Sequence, residues 1–328
     1  MKWVALVLVA TMPWVQPQSG SPQTRLRAVG TIELPRVEGR IDHLAVDVDG
    51  QRLFVAALGN NSLEVADLTG MKVIKSVAGL DEPQGVRYLP ALRRIVVANG
   101  GDGAVKFFDS GTFGVTSTAK LSGDADNVRF DAKAGRVYVG YGNGALAILD
   151  TDGKLIGDIR LAGHPESFQL EPAGPRIFVN VPSAGQIAVV DRDKRTVVTT
   201  WPVTAARANY PMALDEPHHR LFIGCRNPAR LLVYDTESGR MITSIEIVGD
   251  TDDLFYDAAK RRIYVAGGEG FITVLDQQDT DRYVVSQRLA TAAGARTALF
   301  VAELSRVFLA VPHRGNQRAE IRIYETIQ

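Results

Sequence analysis

Short apolar segments recur along the chain at nearly constant spacing, and an arginine stands directly before each of them. The segments are rich in β-branched and aromatic side chains, which favour strands. The seven copies are Arg52-Leu-Phe-Val, Arg94-Ile-Val-Val, Arg136-Val-Tyr-Val, Arg176-Ile-Phe-Val, Arg220-Leu-Phe-Ile, Arg262-Ile-Tyr-Val and Arg306-Val-Phe-Leu. Successive copies are 42, 42, 40, 44, 42 and 44 residues apart. A repeat of this length is typical of a β-propeller with one four-stranded blade per repeat, so the pattern predicts an all-β fold with seven blades.

Each repeat is predicted to contain four strands, named a to d. Strand a precedes the arginine, strand b contains it, and strand d follows a short turn, as in Lys72–Val77. Strand c ends at an acidic residue, which is Asp67, Asp109, Asp150, Asp191, Asp235, Asp276 or Glu325. Apolar residues often occupy consecutive positions because the blades of a propeller stack face to face and cover both faces of the inner strands.

The last repeat has no strand d of its own. A strand-like segment, Gly30–Leu34, precedes the first full repeat and has the spacing of a strand d. Pairing this N-terminal strand with the C-terminal blade would close the ring and remove its exposed edges. The sequence therefore predicts that the two ends of the propeller share one blade.

The segment Arg52-Leu-Phe-Val-Ala-Ala-Leu-Gly-Asn-Asn-Ser-Leu-Glu-Val-Ala-Asp-Leu-Thr-Gly70 resembles the YVTN-repeat family of bacterial seven-bladed propellers. The resemblance extends from about residue 30 to the end of the chain. It implies an exported propeller that binds ligands or partners. Similar folds in streptogramin lyases and gluconolactonases are enzymes that use a divalent metal in the central channel.

The N-terminal residues have the pattern of a secretory signal. Lys2 is followed by an apolar run, and a stretch rich in Pro, Gln, Ser and Gly comes next. We therefore predict a signal peptide and leader over residues 1–27 and a single propeller domain over 28–328, in a periplasmic or secreted protein. The apolar run is too short for a comfortable membrane span, so none is expected in the mature protein.

Charge and cysteine content limit the classes of function. Lys plus Arg equals Asp plus Glu at 37 each, which argues against general binding to nucleic acid or to an anionic membrane. Cys225 is the only cysteine, so no intrachain disulfide can form. The sequence also lacks a nucleophile elbow, a phosphate-binding loop and a zinc-ligand spacing.

Acidic residues that recur in most repeats are expected to serve the blade. Five of them stand five positions before a repeated arginine: Asp47, Asp131, Glu171, Asp215 and Asp257. An ion pair with that arginine across the a–b turn is the expected role. The acidic residue at the end of strand c is expected to accept hydrogen bonds from the turn that follows.

Functional residues are expected where the repeats differ. Ten residues before the repeated arginines, the chain has Asp42, Gln84, Asp126, Glu166, Tyr210, Asp252 and Arg296. The start of strand a lines the central channel of a propeller, so these residues are predicted to form a polar ring at the channel mouth. His43, Asn127 and Asp253 follow ring positions and belong to the same candidate site, as does His164. Apolar residues come two positions after the ring, which predicts that the ring caps an apolar core.

Neighbouring blades decide which ring residues meet. Arg296 falls between Asp252 and Asp42 once the ring closes, so an ion-paired trio is expected there. Asp126 and Glu166 are also adjacent, with no base at their ring positions. They predict either a site for a divalent cation such as calcium or a carboxylate pair with one raised pKa. His43 and His164 are less expected as metal ligands, because no His-x-His or cysteine spacing accompanies them.

The loops between strands b and c emerge on the face of the ring. Most of their polar residues are Asn and Gly, which are turn formers. Four others are better candidates for ligand contact: Tyr141, Arg226, Glu269 and His313.

Two functions remain open at this point. The first is an exported scaffold that binds an unknown protein or small-molecule ligand at the channel mouth. The alternative is a metal-dependent enzyme of the lactonase or lyase type, in which Asp126, Asn127 and Glu166 hold a divalent cation. Asp42, His43 or Asp253 would then act as acid–base groups.

Overall fold

The computed structural model of the protein describes residues 24–328. The signal-peptide prediction falls almost entirely on residues 1–23, which lie outside the described part, and it stays a prediction. In residues 24–328 no helix is long and apolar enough to cross a membrane.

The chain forms seven sheets of four antiparallel strands arranged in a ring, which confirms the predicted propeller. β1 (Leu26–Glu33) comes first and belongs to the last blade. Blade 1 contains β2 (Leu44–Asp47), β3 (Arg52–Ala57), β4 (Ser62–Asp67) and β5 (Lys72–Ala78). Blade 2 contains β6 (Pro83–Leu89), β7 (Arg94–Asn99), β8 (Ala104–Asp109) and β9 (Val115–Lys120). Blade 3 contains β10 (Val128–Asp131), β11 (Arg136–Tyr141), β12 (Ala145–Leu149) and β13 (Leu155–Arg160).

The remaining blades follow the same order. Blade 4 contains β14 (Phe168–Leu170), β15 (Arg176–Val181), β16 (Gln186–Asp191) and β17 (Thr196–Pro202). Blade 5 contains β18 (Arg207–Asp215), β19 (Arg220–Asn227), β20 (Ala229–Asp235) and β21 (Met241–Glu246). Blade 6 contains β22 (Thr251–Asp257), β23 (Arg262–Gly267), β24 (Phe271–Gln277) and β25 (Tyr283–Ala290), and blade 7 contains β26 (Ala298–Val301), β27 (Arg306–Val311) and β28 (Glu320–Thr326). Short 3₁₀ turns occupy Leu58–Asn60, Pro90–Leu92, Pro182–Ala184, Glu216–His218 and Ala302–Leu304.

The ring closes between the two ends of the chain, as predicted. β1 pairs antiparallel with β28, from Leu26 opposite Thr326 to Glu33 opposite Glu320. The strand begins four residues earlier than the segment expected from the sequence, so Leu26 and Arg27 are part of the propeller. The backbone NH of Ile327 also donates to the carbonyl of Arg25 at 2.8 Å. The last blade is therefore completed by both termini.

Blade 6 holds the closing strand as well. Gln287 Oε1 accepts hydrogen bonds from the backbone NH groups of Arg25 and Leu26, each at 2.8 Å. Arg25 also forms a 2.5 Å ion pair with Asp276. Closure consequently rests on two neighbouring blades.

The core consists of apolar clusters between adjacent blades. Between blades 7 and 1, for example, Leu34 and Ile41 pack with Leu53, Phe308 and Ile321. Residues 53–57 of β3 are all buried, which explains why consecutive positions in strand b are apolar.

The repeated arginines differ in part from the expected hairpin ion pairs. Arg52 pairs with Asp47 at 2.6 Å and Arg176 with Glu171 at 2.7 Å, as expected. Elsewhere the acid has another partner. Asp131 pairs with Arg192 at 3.1 Å, Asp215 with His218 at 2.9 Å and Asp257 with Lys260 at 3.5 Å.

Four of the arginines, two of which also form the hairpin ion pair, donate to a backbone carbonyl of the neighbouring blade. Arg52 Nη1 donates to the carbonyl of Ser110 at 2.5 Å, and Arg176 Nη1 to that of Thr236 at 2.6 Å. Arg94 and Arg262 reach the carbonyls of Thr151 and Ile327 in the same way. The long guanidinium side chain thus reaches the next blade's outer end, a contact that spacing within one repeat does not show.

The acids that end strand c behave as expected in blades 1 to 5. Asp109 Oδ1, for instance, accepts hydrogen bonds from the NH groups of Gly111 at 3.0 Å and Thr112 at 2.7 Å. Asp67, Asp150, Asp191 and Asp235 do the same in their turns. These carboxylates therefore stabilise their own turns.

Candidate functional site

A polar cavity of about 310 Å³ opens where the inner strands begin. It is lined by Arg40, Asp42, His43, Gln84, Asp124, Asp126, Asn127, His164, Glu166, Tyr210, Arg226, Asp252 and Arg296. All seven residues of the ring expected from the sequence are among them. Asp253 lies on the other side of His43, in a second cavity that His43 also lines.

Backbone hydrogen bonds hold the ring residues at the mouth. The NH of Asp42 donates to Ala56 O at 2.8 Å, that of Asp126 to Gly140 O at 2.9 Å and that of Glu166 to Asn180 O at 3.0 Å. Each bond joins the residues before strand a to the end of strand b. Because this junction repeats, side chains of different chemistry occupy equivalent places around the channel.

Gly85 lets blades 2 and 3 approach closely at this level. A Cβ atom on Gly85 would lie 2.1 Å from the backbone oxygen of Asp126, well below any real contact. The absence of a side chain at this position therefore helps to set where Asp126 sits.

His43 lies among three carboxylates. Its Nε2 is 3.7 Å from Asp42 Oδ1 and 3.7 Å from Asp126 Oδ1, and its Nδ1 is 3.7 Å from Asp253 Oδ1. Burial lowers the pKa of His43, but Asp253, Asp42 and Asp126 together raise it to about 10. The imidazolium form is thus the stable one in the protein without a bound cation.

Asp126 is the least satisfied acid of the site. Only 7% of the residue is exposed, and its Oδ1 has no hydrogen-bond partner. Burial raises the pKa of Asp126 to about 7, with Asp42 and Glu166 adding to the rise and His43 opposing it. Asn127 Oδ1, on the next residue, is also buried without a partner. These two oxygens are free to accept a ligand.

Glu166 shares the cavity and has a raised pKa. Burial and the charge of Asp252 raise the pKa of Glu166 to about 7, while Arg226 opposes the rise. The sequence had placed no base near this acid. Arg226 reaches the cavity from the end of β19, and its guanidinium lies 3.9 Å from the ring centroid of Tyr210.

The expected trio around Arg296 is only partly present. Arg296 Nε pairs with Asp252 at 3.0 Å, but its Nη1 pairs with Asp250 at 3.0 Å instead of with Asp42. Asp42 pairs with Arg40 at 2.7 Å, and this nearer arginine takes the place expected for Arg296. Arg226 also pairs with Asp252, at 2.5 Å. Burial and Asp42 nevertheless raise the pKa of Asp252 to about 6, against the effect of these two arginines.

The loop candidates separate into one that lines the cavity and three that do not. Arg226 lines it. Tyr141 donates to Asp158 at 2.7 Å, Glu269 accepts from the NH of Gly249 at 3.0 Å, and His313 pairs with Glu38 at 2.7 Å. These three side chains have partners in neighbouring loops and strands.

His164 lines the cavity and is positioned by the neighbouring β11–β12 loop. Its Nδ1 donates to the carbonyl of Gly142 at 2.6 Å and lies 3.4 Å from Asp124. Within residues 24–328, the group of side chains close enough to share a metal ion is Asp42, His43 and Asp126. Neither His164 nor Glu166 belongs to it, whereas the sequence had favoured Asp126 with Glu166.

The apolar layer expected below the ring is present, but charged and polar residues also line the channel at this depth. The apolar residues two positions after the ring, such as Val128 and Phe168, are buried between blades. Alternate residues of a strand point to opposite faces, so the next position faces the lumen. There the second cavity is lined by Arg87, Arg129 and Gln169.

Solved structures support the fold. A chain described as "Kuenenia stuttgartiensis Hydrazine Synthase" is 14% identical, with a TM-score of 0.74 over 89% of this chain and 97% of that chain. A chain of the "Crystal Structure of Mitotic Checkpoint Complex" is 11% identical, with a TM-score of 0.78 over 100% of this chain and 99% of that chain. At such identities the likeness shows the fold alone. No family model and no curated protein matches the sequence.

Proposed function

We propose that the chain is an exported seven-bladed propeller that binds its ligand at the channel mouth, and that the ligand contains or is a divalent cation. The N-terminal pattern and the resemblance to YVTN-repeat propellers support export to the periplasm or the medium. A propeller chain found within a checkpoint complex is consistent with a scaffold that binds partners. The choice of ligand rests on the site itself.

One observation carries the cation proposal. Asp126 Oδ1 is buried, has no hydrogen-bond partner, and lies 3.7 Å from His43 Nε2. A carboxylate oxygen in this condition is costly unless something positive binds to it. A distance of 3.7 Å is too long for a hydrogen bond, yet it suits two atoms that share an ion at about 2.0–2.2 Å from each.

The donor set favours a particular kind of ion. Asp42 and Asp126 offer oxygen and His43 offers an imidazole nitrogen, and these atoms lie within 4.8 Å of one another. Calcium prefers six to eight oxygen ligands, whereas in a smaller set the carboxylates suit manganese and the imidazole nitrogen suits iron or zinc. We therefore replace the calcium expected from the sequence by a divalent transition-metal cation. Such an ion would take over the positive charge that the imidazolium otherwise supplies to the carboxylates.

Metal titration tests the site directly. Calorimetry with Mn²⁺ or Zn²⁺ is expected to show one site per chain in the wild type. Asp126→Asn and Asp42→Asn should weaken binding by more than the roughly 10–100-fold that a change in an outer-shell group costs. Asp193→Asn, which changes an exposed turn residue, is the control and should bind as the wild type does. Binding that is equal in all four proteins would exclude this site.

A second candidate function is metal-dependent lactone or lyase chemistry. It is favoured by Glu166, whose pKa of about 7 suits a general acid or base in the same cavity as the proposed cation. Metal-loaded protein would then turn over a panel of lactones, and Glu166→Gln would abolish turnover while leaving metal affinity within about twofold. Metal binding without turnover would leave the binding function alone.

A further inference from the structure

The second cavity has a different chemistry from the channel mouth. It has a volume of about 350 Å³ and lies on the far side of His43 along the inner strands. Arg87 and Arg129, from adjacent blades, face it together with Phe130, Phe255 and Phe300. The volume is within the range of small-molecule sites.

The two arginines are not neutralised by the fold. In the part of the chain that the structure describes, neither forms an ion pair with a carboxylate. Arg129 donates only to the carbonyl of Val128 at 3.0 Å and, weakly, to Ser167 Oγ at 3.4 Å. Its guanidinium also lies 5.5 Å from the ring centroid of Phe168. Each guanidinium therefore keeps N–H donors that no acceptor within residues 24–328 uses.

Nearby acids offset the charge of the two arginines only in part, since Asp253 and Asp126 act on Arg129 without forming an ion pair with it. Asp253 lines the upper end of the cavity, but it accepts from the NH of Ala298 at 2.8 Å and faces His43. Glu303 lies at the outer end and has no ion pair with either arginine. Burial lowers the pKa of Arg129 to about 10, and the charge of Arg87 lowers it further. Among the lining residues, Arg87 and Arg129 outnumber Asp253, so their charges leave this part of the lumen positive.

The apolar side of the cavity is formed by aromatic rings. Phe130, Phe255 and Phe300 are only half-buried and offer ring surface to the lumen. A site with a few convergent polar groups on an aromatic wall is the usual form of a pocket for an organic molecule.

We infer that this cavity binds an aromatic oxyanion, a carboxylate or phosphate monoester that bears a ring. Its oxygens would accept from the guanidinium groups of Arg87 and Arg129, which suit planar oxyanions. Its ring would pack against Phe130, Phe255 and Phe300. This cavity adjoins the cation site through His43, but its arginines and phenylalanines are not part of that site.

The experiment uses the full chain in the presence of a chelator. Phenyl phosphate and benzoate are titrated by calorimetry, beside inorganic phosphate and the neutral analogue benzamide. At least one aromatic oxyanion should bind, more tightly than inorganic phosphate, and benzamide should not bind. Inorganic phosphate bound as tightly as phenyl phosphate would overturn the aromatic part of the proposal.

Matched variants assign the site. Arg87→Gln combined with Arg129→Gln should weaken the aromatic oxyanion about tenfold or more, since bonds to charged groups are lost. These changes remove a pair of like charges, so a thermal midpoint no lower than that of the wild type is expected and misfolding is not the explanation. The control, Arg240→Gln with Arg318→Gln, removes the same charge from exposed positions and should bind as the wild type does. No binding of any oxyanion, or equal binding by the two double variants, would overturn the proposal.

Discussion

Deletion of residues 24–33 is expected to abolish cooperative unfolding of the propeller. Leu26 and Ile32 are buried in β1, and each contributes about 1.5–3 kcal/mol on burial. The deletion also removes the backbone pairing with β28 and exposes a long strand edge in blade 7. Losses of this size are comparable with the whole stability of an ordinary domain, about 5–15 kcal/mol.

Denaturant unfolding followed by circular dichroism measures this effect, with light scattering to detect aggregation. A chain that begins at residue 24 is the control, because it keeps β1 and should unfold in one transition. If the shorter chain unfolds as this control does, closure by β1 contributes little to the stability of the ring.

Replacement of His43 by Gln is expected to lower the free energy of unfolding of the metal-free protein by about 3 kcal/mol at neutral pH. Breaking a buried ion pair by removing one partner costs about 3–5 kcal/mol. We take the lower end because 19% of the His43 side chain is exposed. In the variant, the carboxylates of Asp42, Asp126 and Asp253 would face one another with no cation between them.

The difference between variant and wild type should depend on pH. The carboxylates raise the pKa of His43 from 6.5 to about 10 against the effect of burial. A raised pKa means that the protonated ring stabilises the fold fully below pH 6.5, and that this contribution is lost as the pH rises through about 10. The difference should also shrink in acid, where Asp126, with a pKa of about 7, takes up a proton.

Urea unfolding of both proteins in chelator at acidic, neutral and alkaline pH measures this profile. His218→Gln is the matched control, since His218 also contacts an acid, Asp215 at 2.9 Å, but its side chain is 52% exposed. A change of less than about 1 kcal/mol is expected there. Equal effects of the two substitutions at neutral pH would contradict the charged state assigned to His43.

The ring and its seven blades were predictable because the same physical requirement repeats. Each strand b must be apolar on both faces, and strand c of blades 1 to 5 ends in an acid that accepts hydrogen bonds from its turn. The channel-mouth residues were predictable for the same reason. Asp42, Asp126 and Glu166 occupy equivalent positions in their repeats, and equivalent backbone bonds hold them.

The parts of the site that the sequence did not show depend on the reach of long side chains and on the alternation of side chains along a strand. Arg226 reaches Asp252 from strand b of the preceding blade, and Arg40 lies two residues before its partner Asp42 in the chain. The length of a guanidinium side chain lets it choose among several acids, so spacing along the chain does not identify its partner. Arg87 and Arg129 were missed for another reason. The alternation of side chains along the strand directs them towards the lumen one position after the apolar layer, and the expected ring did not include that position.

The closure of the ring also determines the orientation of the propeller if its N-terminal segment were attached to a surface. β1 is the outer strand of blade 7 and pairs with β28, and Ile327 NH binds Arg25 O where β1 begins and β28 ends. Both strands have these ends on the face opposite the loops that join strands b and c, since Leu26 lies beside Thr326 and Val311 beside Glu320. An attachment through residue 24 would therefore direct the channel mouth away from that surface. The second cavity, with Arg87 and Arg129, would lie on the side nearer to it.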